Sequence, residues 1–273
     1  MNKKRVRIMI YIPLVLISLF YLAPMYVMLT TGFKSFEEID LQTMWALPTS
    51  GIHFDNFIEA FKQLAPSFLN SILMVVPAAI ISSILGSLNG YVLAKWKFKG
   101  ADIIFPLILF GMFIPYQSIL IPLVEFMRMI GLYGSIPGLM LTHIIYGLPI
   151  TTLTFRNYYA TVPKELLEAA KIDGADILKI YWKVMLPISI PSFVVVLIWQ
   201  FTSAWNDFLF AVAVTSPSNW PVTVALNNMA GSQIISWNVQ MAGSFLAAVP
   251  TLIIYIFLGN YFLKGMMAGA LKG

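Results

Sequence analysis

Residues 156–187 interleave ionisable and small side chains: Arg156, Lys164, Glu165, Glu168, Lys171, Asp173, Asp176, Lys179 and Lys183 stand among Ala160, Ala169, Ala170, Gly174 and Ala175. The alanines permit close approach by another surface, and the segment suits either such a contact or an amphipathic connector lying on the lipid surface. Its local signals are explicit. Pro163 suits the first position of a helix, with Thr161 or Val162 just outside it, and Lys164 to Ile172 are good helix formers. Gly174 can take the left-handed conformation that stops a helix. Asp176 can then cap a second short helix, in which Ile177, Ile180, Tyr181 and Val184 recur at i, i+3, i+4 and i+7. Pro187 and Pro191 end that helix. On the first helix Leu166, Ala169, Ala170 and Asp173 share one face.

Groups that make and break bonds are scarce elsewhere. The absence of cysteine excludes disulfides, thiolate metal sites and cysteine nucleophiles. His143 lies in an apolar stretch, where it suits a packed or hydrogen-bonded role or, alternatively, a proton relay. His53 is far away in a polar segment, so no metal-ligand cluster is expected. No G-x-x-x-x-G-K-[ST] phosphate loop is present. The sequence predicts neither catalytic residues nor a metal site.

The elements that must position these residues follow from composition. The 273 residues are 59% hydrophobic and 11% charged, with a mean hydropathy of +0.82. Soluble domains run near about 45–50% apolar and 25% charged. Such a chain excludes a soluble enzyme, a nucleic-acid-binding domain and a disordered tail. Roughly 20 apolar residues in a helix cross a hydrocarbon core about 30 Å thick. Six stretches meet that test: Ile8–Thr31, Ser67–Ala94, Ile103–Val124, Ser135–Phe155, Ile188–Asn206 and Val239–Leu263, none containing Asp, Glu, Lys or Arg. Lys3, Lys4, Arg5 and Arg7 precede the first, but it is too long for a signal peptide and no small-x-small cleavage site closes it. Glu125 and Asp207 sit at span ends, near the outer face.

Placing the N-terminus inside puts every lysine and arginine except Lys34, Lys62 and Arg128 on the cytoplasmic side. The expected fold is therefore an all-α polytopic membrane protein, a single domain over residues 1–273, with six transmembrane helices and both termini cytoplasmic. An external segment at 32–66 carries Glu37, Glu38, Asp40, Asp55 and Glu59. A second, at 215–238, is rich in Ser, Asn, Trp and Pro and suits either an ordered loop returning partway to the membrane or a plain solvated one.

Within residues 156–187 the spacing E-A-A, three residues, G, nine residues, aliphatic-x-L-P is carried by Glu168, Ala169, Ala170, Gly174, Val184, Leu186 and Pro187. It resembles the cytoplasmic signature loop, or EAA motif, of permease subunits of binding-protein-dependent ABC importers, with Val184 in place of the commoner isoleucine. Asn70-Ser71, the stretch from Pro122 through Gly131-Leu132 to Pro149, Trp205-Asn206-Asp207-Phe208 and the tail from Lys264 to Gly273 resemble the carbohydrate-importing branch. The chain is most similar there to the smaller, six-span permease of maltose-type systems. The stretch Trp237 to Gly243 also resembles glucose/mannose-type importers.

The resemblance implies the ABC importer permease fold and a place in a prokaryotic plasma (inner) membrane. It implies that Glu168, Ala169, Ala170, Asp173 and Gly174 dock on an ATPase subunit, while Leu186 and Pro187 tie the docking helix to the fifth span. No cofactor is expected on this chain; ATP and Mg would belong to two cytoplasmic ATPase subunits. Further partners would be a second homologous permease, an extracytoplasmic sugar-binding protein, the sugar itself and membrane lipid, with no nucleic acid. Sugars are held by aromatic stacking and fixed hydrogen-bonding groups. Tyr116, Gln117, Trp199, Gln200, Trp205 and Asn206 offer that chemistry, although membrane aromatics also serve interfacial belts and helix packing. By position in the family, Trp220, Asn227, Asn228 and Trp237 would meet the binding protein.

A secondary carrier or channel and a membrane-embedded enzyme are the competing classes. A carrier calls for intramembrane acids or interrupted repeat helices, and an enzyme for His, Asp or Glu gathered within the bilayer. The spans contain no acid.

Overall fold

The computed structural model describes residues 3–231 and 236–270. Residues 232–235 of the 215–238 segment and the last three of the tail, 271–273, lie outside them. Among the described residues regular structure is helical, apart from one isolated bridge between Gly134 and Thr215. The chain divides into two compact units, residues 1–66 with 225–250, and residues 67–224 with 251–273.

In the first unit, α1 (Lys3–Gly32) is apolar and largely exposed along most of its length, the pattern of a helix made for lipid. It meets the start of α2 (Asp55–Lys95) through a polar knot. Asn56 Nδ2 donates to the carbonyls of Gly32 and Lys34, both at 2.9 Å, and Asn238 Nδ2 donates to Asn56 Oδ1 at 3.0 Å. The intervening segment is ordered by its own contacts. Lys34 is buried with Nζ on the Thr43 carbonyl at 2.7 Å, and the Tyr26 and Trp45 rings stack within 14° of parallel. α2 begins at Asp55, so the last part of the 32–66 segment is helical and runs on into the stretch that starts at Ser67.

The second unit is organised by α2 against α5 (Ile136–Ala160). Gly86 and Gly90 form a small-xxx-small pair that lets the two backbones touch. A β-carbon on Gly86 would lie 2.1 Å from Thr151 Oγ1, and one on Gly90 would lie 2.6 Å from the backbone nitrogen of Arg156. Thr151 Oγ1 also donates to the Ser82 carbonyl at 3.2 Å, closing the contact with a hydrogen bond.

One expected span is broken, and another is entered at a sharp bend. Ile103–Val124 divides into α3 (Ala101–Phe110), 3₁₀ turns at Gly111–Phe113 and Tyr116–Ile119, and α4 (Leu120–Met129), with a 92° bend. Pro115 explains the break: it has no N–H and pushes Ile114 into the extended region, at φ −76° and ψ 117°. The fifth expected span, Ile188–Asn206, is α9 (Ile190–Trp205), set at 79° to the helical segment Ile177–Ile188. Among the described residues, four helices are long and apolar enough to cross a membrane, or up to six if each bent pair counts as one span.

Candidate functional site

The 156–187 segment folds as two short helices, α6 (Glu165–Ile172) and α7 (Ile177–Ile180), joined by a tight turn. Gly174 has φ +75°, the left-handed value the sequence predicts. Its N–H donates to the Lys171 carbonyl, and the Ala175 N–H to that of Ala170, both at 3.0 Å. This pair of bonds is the Schellman closure of a helix end. Asp176 Oδ1 accepts from the Lys179 N–H at 2.7 Å, the cap that starts α7.

Two local expectations shift. Glu165, not Pro163, is the first residue of α6, and Lys164 stands just outside it instead of Thr161 or Val162. The second helix does not end at Pro187. It passes through a π-helical turn at Tyr181–Met185 and continues as α8 (Leu186–Ile188) to Ser189. The missing proline N–H is absorbed by a wider turn instead of terminating the helix.

α6 has one anchored side and one free side. Leu167 is buried in an aromatic cluster with Tyr91, Phe155, Tyr159, Ile180 and Tyr181. Ala170 and Leu186 are half-buried against the same cluster. Glu168, Ala169, Asp173, Gly174 and Pro187 are exposed, as are the apolar Leu166, Ile172, Leu178 and Trp182.

Behind that cluster lies a buried chain of hydroxyls. Ser87 Oγ on α2 is 2.6 Å from Tyr159 OH on α5, and Tyr181 OH of the π turn donates to Ser87 Oγ at 3.0 Å. Tyr159 OH is also 2.9 Å from Ser189 Oγ at the 79° bend. Ser87 and Tyr159 are fully buried, so any hydroxyl left without a partner would cost about 1–3 kcal/mol.

A second site is a cavity of about 690 Å³ within the 67–224 unit, lined by Tyr116, His143, Tyr146, Trp199, Gln200 and Asn206 among others. Its size falls in the range of about 300–1,000 Å³ typical of small-molecule pockets. Gln200 reaches it only because residue 147 is glycine: a β-carbon there would lie 1.9 Å from Gln200 Nε2. That nitrogen donates to Ser82 Oγ at 3.0 Å. Two residues expected on a ligand path are absent from the lining. Gln117 is exposed in the 3₁₀ turn after Pro115, and Trp205 is core, stacked on Phe201 at 5.4 Å.

The lining adds Asp207 and Phe210 and pairs Asp207 with His143. His143 Nε2 lies 3.4 Å from Asp207 Oδ2 but has no hydrogen-bond partner, although His143 is 8% exposed. The Asp207 carboxylate accepts the N–H groups of Phe210 and Ala211, at 3.3 and 3.0 Å, and so starts α10 (Leu209–Val214). The signals in sequence were a span's lone histidine and an acid beside a span end. Nothing local joins them.

The segment after α10 is ordered where described. Asn70 Nδ2 donates to the Trp220 carbonyl at 3.2 Å, Ser71 Oγ accepts the Val222 N–H at 2.8 Å, and α11 (Val222–Ala230) follows. Trp220 is half-buried, whereas Asn227, Asn228 and Trp237, the first residue of α12 (Trp237–Ala270), are exposed.

Comparison with known proteins agrees with this architecture. The family described as binding-protein-dependent transport system inner membrane component matches residues 86–268. A probable ABC transporter permease of Pyrococcus horikoshii is 48% identical over 98% of both chains. The xylose/arabinose import permease of Haloferax volcanii is 38% identical, covering 92% of this chain and 89% of its own. The glucose import permease of Saccharolobus solfataricus is 34% identical, with 94% and 92% covered. A chain of a bacterial ABC transporter that imports alginate shares the fold, with a TM-score of 0.80, 23% identity and 96% and 99% covered. The chain is thus a multi-pass membrane protein that belongs to the family of binding-protein-dependent transport system inner membrane components.

Proposed function

We propose that this chain is one permease subunit of an ATP-driven sugar importer. Together with a second homologous permease it encloses the translocation path, and it passes the work of two cytoplasmic ATPase subunits to its spans through residues 163–187. ATP and Mg are held by those partners, and an extracytoplasmic sugar-binding protein delivers the substrate. Both termini face the cytoplasm of a prokaryotic inner membrane. The observation that carries the reading is the two-sided build of α6: Glu168, Ala169, Asp173 and Gly174 are exposed for docking while Leu167 is locked into the aromatic cluster. The xylose/arabinose and glucose import activities named for its relatives support sugar as the cargo.

In this mechanism, closure of the ATPase pair displaces α6 and α7. Leu167, Tyr181 and the Ser87–Tyr159–Ser189 hydroxyl chain transmit that displacement to α2, α5 and α9 as a rigid body. The extracytoplasmic partner would contact Trp220, Asn227, Asn228 and Trp237.

The test is a mild-detergent pull-down of the tagged chain from its own membranes. Co-purification of a second permease and an ATPase, with the ATPase lost from Glu168→Lys and Gly174→Pro, is the expected result. A chain that emerges alone and still moves solute after reconstitution overturns the reading in favour of an autonomous carrier. Orientation has its own check. The sequence has no cysteine, so an Ile172→Cys variant carries a single thiol, which an impermeant maleimide should reach only from the cytoplasmic side.

A further inference from the structure

The His143–Asp207 pair is built more like a ligand clamp than like packing. His143 is more than nine-tenths buried, lines the cavity and leaves Nε2 without a hydrogen bond. Asp207 Oδ2, 3.4 Å away, is too far for a good bond, and its carboxylate is already held in place by two backbone N–H groups. Buried polar groups in folded proteins normally find partners, so the unmet nitrogen marks a position for one that arrives with the ligand.

The geometry points to a hydroxyl. A hydroxyl oxygen that comes between the two side chains as they part from 3.4 Å would accept from the imidazole N–H and donate to the carboxylate, each at about 2.8 Å. Among uncharged ligands, a polyol presents such a group, with a donor and an acceptor on one atom. Ring surfaces for the rest of a sugar are beside it: Phe210 lies 4.8 Å from Tyr146 and 5.6 Å from Tyr116, and the indole of Trp199 is 55% exposed. We propose that His143 and Asp207 together bridge one hydroxyl of a saccharide ring in a binding subsite formed by this chain itself. The inference rests on the reading of the chain as a sugar permease.

The test uses the complete transporter in proteoliposomes with its binding protein unchanged, so that any difference between variants lies in this chain. The probes are radiolabelled D-glucose, D-xylose, L-arabinose and maltose, followed by the monodeoxy analogues of whichever sugar is carried. Losing a hydrogen bond to a charged group should raise KM about ten- to a hundred-fold for one deoxy analogue. His143→Leu should raise KM for the parent sugar similarly and abolish discrimination against that analogue. His143→Gln, which keeps an N–H near the same place, should restore both. A complex that carries a sugar while His143→Leu retains KM and discrimination overturns the subsite alone. So does an equal loss in His143→Gln and His143→Leu without any change in discrimination, which is the signature of a prop. A wild-type complex that hydrolyses ATP but carries none of the probes overturns the sugar-permease reading and the subsite with it.

Discussion

Ser87 Oγ and Tyr159 OH approach to 2.6 Å in the interior of the 67–224 unit, joining α2 to α5 at a point that neither the α6–α7 segment nor the cavity occupies. Both hydroxyls have a second partner, Tyr181 for Ser87 and Ser189 for Tyr159. Four structural elements therefore meet in one satisfied polar chain. Such a network holds a unique arrangement because each displaced member strands another.

Tyr159→Phe removes the central hydroxyl and leaves Ser189 and Ser87 each short of a bond, a cost of about 1–3 kcal/mol. The variant should insert and assemble, but uptake per ATP hydrolysed should fall several-fold in proteoliposomes. An unchanged ratio would show that the network only stabilises the fold.

Gly147→Ala places a methyl group 1.9 Å from where Gln200 Nε2 now lies. The amide must leave Ser82 and swing away, and so the cavity wall changes shape. Sugar uptake should weaken mainly through KM, and Gly147→Ala combined with Gln200→Ala should show less additional loss than the two effects summed. Full additivity in that double-mutant cycle counts against the contact.

At the α6–α7 turn, Gly174→Ala meets no neighbour within 4 Å, so its whole effect is backbone strain at φ +75°. That strain amounts to about 1 kcal/mol. Gly174→Pro is more severe because proline cannot adopt this φ or donate to Lys171. Gly174→Pro and Glu168→Lys are expected to leave the chain inserted while ATP-driven uptake is lost along with the docked ATPase, with Gly174→Ala intermediate. Normal ATP-driven uptake by both severe variants would falsify the docking assignment.

The segment between α1 and α2 should resist acid. The Thr49 hydroxyl, followed by backbone and side-chain bonds from Thr49 and Ser50, holds the Glu38 carboxyl down at about 2 from its ordinary 4.5. A lowered folded-state value means that the carboxylate stabilises this loop fully above about pH 4.5 and loses that contribution as pH falls toward 2. Limited proteolysis between residues 36 and 50 should be slow above about pH 4.5 and accelerate progressively as the pH falls from there toward 2. Glu38→Gln should be cut faster than wild type at pH 7 and show little pH dependence. Equal cutting of the two proteins at pH 7 would remove the clamp from the account.

Much of the α6–α7 segment was legible in the residues. Gly174 and Asp176 act on backbone groups within five positions, so a turn type and a cap can be read from neighbours alone. The boundaries were less secure, since Pro163 and Lys164 both tolerate the start of a helix, and since a π turn can carry the chain past Pro187.

Composition and hydropathy alone specified a helical membrane protein, because covering apolar side chains with lipid depends on how many there are and how they run along the chain. The spacing from Glu168 to Pro187 specified the family resemblance for the same local reason. Only the tertiary structure decided that the third span turns through 92° at Pro115 and that the fifth leaves the helix before it at 79°. It also buried Trp205 in the core and brought Gly147 under Gln200. His143 lies within α5 and Asp207 in the link between α9 and α10, and their 3.4 Å approach follows from how those elements pack. A cavity is made of what distant segments leave unfilled, and that is a property of their packing that no stretch of sequence carries by itself.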